Sequence, residues 1–133
     1  MNDNATIICV GNPDNLRQTG YEDITGDGSI NTFIVDSISG NYSQSFNYRP
    51  QSNTSAKFGQ SVDVLENTMV VGAPESETDY GHVYLYNKEP SETLFQNTQI
   101  LRGASGDNFG NTVAFSRDGV MVVCNSTRKW KSL

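Results

Sequence analysis

A chain of 133 residues with an apolar fraction of 35% suits one small domain of short strands and polar turns better than long amphipathic helices. Its formal charge of −6 argues against nucleic acid, because holding phosphate needs a basic patch that releases counterions. No stretch of about 18 apolar residues is present to insert into a membrane, and Met1–Gly11 lacks the basic flank and long apolar run of a signal peptide.

Along the chain, the first element is the apolar run Ile7–Val10, closed by Gly11, Asn12 and Pro13. Cys9 lies inside it, and Cys124 follows the similar run Met121–Val123, so both cysteines read as small buried hydrophobes with free thiols. Next comes a polar stretch with oxygen-bearing side chains at Asp23, Thr25, Asp27 and Asn31 and a glycine, Gly28, at its sixth position. Calcium takes six to eight oxygens, and a glycine there permits the tight wrap. A polar connection between strands is the alternative reading, and an EF-hand is excluded because the twelfth position is Ile34. Phe33–Asp36 reads as a strand after this loop.

The middle of the chain is clearer. Ser61–Leu65 alternates polar and apolar residues, Met69–Val71 is short and apolar, and Val83–Tyr86 is aromatic and β-branched, all marks of a pleated surface. A further strand is expected near Thr98–Leu101, ending at Gly103. Asp118-Gly119 then signals a hairpin turn before Met121–Val123.

These elements repeat. Phe58-Gly59 and Phe109-Gly110 stand 51 positions apart, and each leads into a Met-Val-Val run, at Met69 and at Met121. Ile7–Pro13 matches the segment ending Gly72-Ala73-Pro74, and Phe33–Asp36 is aligned with Val83–Tyr86. Four short strands in about fifty residues is the size of one propeller blade. The expected organisation is a partial first blade with a long polar loop over 1–57, a complete blade over 58–106, and a partial third blade with a tail over 107–133. The first copy is expected to lack its opening strand and the last to stop after its second, giving nine or ten strands. The fold class is therefore all-β: a partial β-propeller of about two to three four-stranded antiparallel blades, its ring not closed by this chain alone.

The motif residues Phe58, Gly59, Gly72, Ala73, Pro74, Phe109 and Gly110 resemble the FG-GAP repeat of integrin α-subunit propellers. They are most similar to its bacterial and viral branch, in which Gly-Asp precedes Phe-Gly as Gly106-Asp107 does here. The third copy departs from the pattern, with Cys124-Asn125-Ser126 in place of Gly-Ala-Pro. The resemblance implies a toroidal propeller that binds proteins or other ligands and has no shared catalytic residues. It also implies calcium loops, onto which Asp23, Thr25, Asp27 and Asn31 would map.

Function is accordingly expected to be non-enzymatic: a binding or scaffold module of an extracellular, cell-surface or virion protein. Its partner would be a protein or a glycan, and the chain would be either part of a longer one or a unit that associates with copies of itself. A lectin-like oligomeric propeller and the accessory propeller of an enzyme are the alternatives. Four glycosylation sequons, at Asn4, Asn41, Asn53 and Asn125, permit an extracellular setting. His82 is the lone histidine, so no two-histidine metal motif exists, and it reads as structural. Ser116–Gly119 resembles the Asp-box turn of sialidase-type propellers but lacks its later glycine and tryptophan. Tyr80, Tyr84, Tyr86 and Trp130 could form an aromatic binding stripe, with packing between blades as the simpler role.

Overall fold

A computed structural model describes residues 7–14, 17–19, 22–24, 28–49, 57–75, 80–124 and 130–132. Every regular element among them is a strand. The chain opens with β1 (Ile7–Asn12), the small strands β2 (Arg17–Thr19) and β3 (Glu22–Ile24), β4 (Ser29–Val35) and β5 (Tyr42–Tyr48). The middle copy supplies β6 (Ser61–Leu65), β7 (Thr68–Ala73), β8 (His82–Asn87) and β9 (Gln96–Arg102). The last copy supplies β10 (Thr112–Phe115), β11 (Met121–Cys124) and β12 (Trp130–Ser132).

Three antiparallel sheets follow, in the orders β1-β4-β5, β6-β7-β8-β9 and β10-β11-β12, with β2 and β3 paired as a separate hairpin. The sheets are partial propeller blades stacked face to face. The middle sheet is a four-stranded meander, and its second strand is walled on both sides: every residue from Met69 to Ala73 is buried. Alternation explains how. Met69, Val71, Ala73, Tyr84 and Tyr86 join the core shared with the first sheet, while Val70 and Val83 join the one shared with the third. Successive side chains of a strand point to opposite faces, so one apolar strand can serve two interfaces.

Three sequence expectations are corrected. The described residues hold twelve strands, because the polar stretch before Phe58 contains both the β2–β3 hairpin and β5. The third strand of the first copy begins at Ser29, and Ile30 rather than Phe33 stands in the place of Val83: Ile30 pairs with Gly11 just as Val83 pairs with Gly72. The last copy continues past its second strand, since β12 pairs with β11.

Two joints between blades have the same construction. Gly59 takes φ +95° and lies against Asn12, Ser29 and Ile30; Gly110 takes φ +94° and lies against Gly72, His82 and Val83. The reciprocal approach is closer still. A Cβ on Gly11 would fall 2.0 Å from the Gly59 carbonyl oxygen, and one on Gly72 would fall 1.9 Å from that of Gly110. Backbone meets backbone there, so no side chain larger than hydrogen fits. The phenylalanine before each glycine is the wedge: Phe58 is fully buried and Phe109 nearly so. Burying a Phe ring contributes about 1.5–3 kcal/mol.

Gly72→Ala is expected to destabilise the chain by about 3 kcal/mol, because the carbonyl it would strike is main chain and cannot step aside. Gly40, with φ +75° and nothing within 4 Å of its Cβ position, is the control, and Gly40→Ala should cost only about 1 kcal/mol for the left-handed backbone. Urea unfolding of the two variants measures the difference.

Candidate binding surface at the blade joints

Polar bonds fasten each joint. Across the second, the Phe115 amide donates to Asp63 Oδ2 at 2.8 Å and the Phe109 amide donates to the Tyr80 carbonyl at 3.2 Å. Ser61 Oγ donates to the Gly110 carbonyl at 2.9 Å, and Asn108 Nδ2 donates to the Pro74 carbonyl at 3.0 Å. Across the first, the Phe95 amide donates to the Tyr48 hydroxyl at 2.8 Å. An ion pair between Lys57 and Asp14 closes the same joint at its rim.

The aromatic residues fill the first joint. Tyr48 meets Tyr86 edge-on at 5.5 Å and Phe95 at 6.4 Å, while Phe58 meets Tyr84 at 5.1 Å. Such T-shaped pairs set a ring's positive edge against its neighbour's negative face. Burial raises the Tyr48 and Tyr86 hydroxyls above the ordinary tyrosine range and pushes the Cys9 thiol up to about 11. Cys9 is free and un-ionised near neutral pH, with its sulfur 3.5 Å from that of Met69. The side chain of Cys124 lies outside the described residues.

Tyr84 and Tyr86 are thus packing residues of the joint. Tyr80 is covered by the Arg102 guanidinium, 3.9 Å from its ring centre, a favourable cation–π stack. His82 is half-buried beside Tyr84, ring centres 6.1 Å apart. The Trp130 side chain lies outside the described residues. Ser116–Gly119 forms the hairpin turn between β10 and β11, with the Gly119 amide donating to the Ser116 carbonyl. Of the four sequons, Asn41 is exposed in a turn, and Asn4, Asn53 and Asn125 lie outside the described residues.

Of the four candidate calcium ligands, only Asn31 has its side chain among the described residues. Asp23 belongs to β3, opposite Gln18, and Thr25 and Asp27 lie outside the described residues. Asn31 sits in β4 between Val10 and Asn47. Its Oδ1 accepts from Gln44 Nε2 at 3.1 Å and from Asn47 Nδ2 at 2.7 Å. A carboxamide oxygen has two lone pairs, so Asn31 could turn to a cation only by releasing both amides. Among the described residues no group of three His, Cys, Asp or Glu side chains converges as a metal site.

A groove that the sequence reading missed opens on the far side of the middle sheet. It has a volume of about 660 Å³ and lies between β7–β9 and the β10 hairpin, lined by Leu65, Glu66, Thr68, Leu85, Gln99, Leu101, Phe115 and Gly119. That size is within the range of small-ligand and peptide-anchor pockets. The available signal was parity: Leu85, between Tyr84 and Tyr86, must face away from the aromatic joint.

Asn31→Ala is expected to lower stability by about 1 kcal/mol through its lost hydrogen bonds and to leave the response to calcium unchanged. Thermal unfolding and calorimetric titration of both forms check the two statements, and a calcium isotherm abolished by the substitution would restore Asn31 as a ligand.

A family model described as the FG-GAP repeat matches residues 51–86. No curated protein matches the chain.

Proposed function

From a chain that carries an FG-GAP repeat at residues 51–86, we propose a non-enzymatic binding or scaffold module of propeller type that engages a protein or glycan partner outside the cell or on a surface. The observation that carries this reading is the repeated joint. Phe58-Gly59 and Phe109-Gly110 lock successive blades by the same close approach, which makes a stiff frame whose buried groups are used in packing. A stiff frame holds loops and grooves in fixed positions, and little ordering entropy is then lost when a partner binds. FG-GAP repeats are typical of extracellular proteins, and no helix among the described residues is long and apolar enough to cross a membrane. The integrin-like character and the surface location rest on the resemblance and belong to this proposal.

One observation favours assembly with a further blade, in a longer chain or from a second copy. On the outer face of the first sheet, Val10 is 46% exposed, whereas Val71, in the equivalent place of the middle sheet, is 0% exposed. Phe33 and Ile8, in the places of Tyr86 and Met69, are only half-buried. That face is an interface in form, and a lectin-like oligomer would use it.

Binding of the labelled chain to a glycan array, and to intact cells before and after surface proteolysis, tests the reading. Saturable binding lost on proteolysis or confined to particular glycans is expected. Absence of saturable binding to either would overturn it. Light scattering on the same sample separates a discrete oligomer from a monomer.

A further inference from the structure

Of the four sequons, Asn41-Tyr42-Ser43 is the one whose three residues all lie among the described residues. It sits where the turn after β4 runs into β5. That turn is held from within. Asp36 Oδ1 accepts from the Ile38 and Ser39 amides at 2.8 and 2.7 Å, and the Gly40 amide donates to the Asp36 carbonyl at 2.8 Å. The main chain of Asn41 is used as well: its carbonyl accepts from the Asp36 amide at 2.8 Å and its amide donates to Ser39 Oγ at 3.2 Å. Its side-chain amide, in contrast, has no hydrogen-bond partner among the described residues. The turn also stands clear of the packed sheets. Every residue from 36 to 44 is exposed, Ile38 at the tip to 97%, and nothing lies within 4 Å of the Cβ position of Gly40.

We propose that Asn41 is a modification site, carrying an N-linked glycan whose first sugar lies over the hollow beside the β4–β5 hairpin. The proposal rests on the reading that places the chain outside the cell, and it names one residue rather than a partner. A glycan is bulky and hydrated, so the fold tolerates it only where the asparagine has no side-chain bond to give up and solvent ahead of it. Asn41 meets both conditions. Ser43, the hydroxyl residue that a sequon requires, is exposed too. It stands two positions on, about 7 Å along an extended chain and on the same face. Ser43 also lines a hollow of about 370 Å³ with Ile34, Val35, Asp36, Ser45 and Thr93. The carboxylate and hydroxyls there can bond sugar hydroxyls, and Ile34 and Val35 offer apolar surface to the C–H groups of a ring. The sugar donor is a lipid-linked oligosaccharide pyrophosphate of the secretory membrane. Asn41 Nδ2 forms the bond to its anomeric carbon, and the bond from that carbon to the pyrophosphate oxygen breaks. The lipid pyrophosphate leaves with the electron pair, the amide gives up one proton, and nothing is oxidised or reduced.

The test uses the full chain behind a cleavable secretion signal, made in cultured animal cells and, in parallel, by cell-free translation with microsomes. Enzymatic release of glycans in heavy-oxygen water marks each occupied asparagine as a labelled aspartate, which peptide mass mapping then locates. Label at position 41 on most copies is expected in both preparations. Asn41→Gln and Ser43→Ala should each abolish it, and Ser43→Thr should keep it. The microsomal arm reads the site even where a variant fails to fold. The secreted, glycosylated chain should melt at or above the temperature of Asn41→Gln, and its Ser45 and Thr93 amides should shift relative to that variant. A bare Asn41 in the microsomal product would overturn the proposal, whether or not Asn4, Asn53 or Asn125 is occupied. So would a glycosylated chain that melts below Asn41→Gln, or one whose Ser45 and Thr93 amides stay unmoved. Because binding to cells and glycans is measured on the unmodified chain, a bare Asn41 leaves the binding-module reading standing, and an occupied Asn41 on a chain that binds nothing leaves the site standing without it.

Discussion

Two backbone contacts, Gly11 against the Gly59 carbonyl and Gly72 against the Gly110 carbonyl, set the distance at which everything else in this chain must pack. Each would leave about 2 Å to a Cβ, at 2.0 Å and 1.9 Å, well inside any non-bonded radius. The contact itself contributes little energy. Its role is to bring two sheets close enough that Phe58 and Phe109 can be fully enclosed, and the apolar burial does the stabilising. Once the sheets are at that distance, the joint bonds from Phe115 to Asp63, from Phe109 to Tyr80 and from Phe95 to Tyr48 become possible.

The same constraint separates packing from binding. Side chains on the joint side of the middle sheet, Tyr84 and Tyr86 among them, are consumed by the first sheet. Those on the other side meet a third sheet whose opening strand has only four residues, and there the groove remains. The register also puts Cys124 in the place of Gly72, paired with Thr112 and β12 as Gly72 is with Ser61 and β8.

Much of this was legible in the sequence, and what was not has identifiable causes. The middle blade was readable because its apolar residues alternate cleanly and its turns hold glycine. β5 was hidden because Tyr42–Tyr48 interleaves its aromatics with Ser, Gln and Asn, and a register shift between Thr32 and Phe33 breaks the count against its partner. The third strand of the first copy was displaced in the alignment because Phe33-Ile34-Val35 is its most apolar stretch, whereas the joint fixes register through Gly28, which bridges Phe58. The oxygen spacing of Asp23, Thr25, Asp27 and Asn31 could not reveal that Asn31 bonds the neighbouring strand's amides. Parity turns Leu85 away from the aromatic joint, but no single strand's pattern encodes the groove that the β10 hairpin leaves over it.

If the glycine joints bind the sheets into one cooperative unit, the amides that donate across the second joint must exchange only when the whole chain unfolds. Native-state hydrogen exchange of the Phe109 and Phe115 amides, compared with the Val83 amide at the centre of the middle sheet, is the direct measurement. The account predicts equal opening free energies for all three, falling together as urea is added. Exchange of Phe109 and Phe115 through a separate, denaturant-insensitive opening, with Val83 still protected, would contradict it and make the blades independent neighbours.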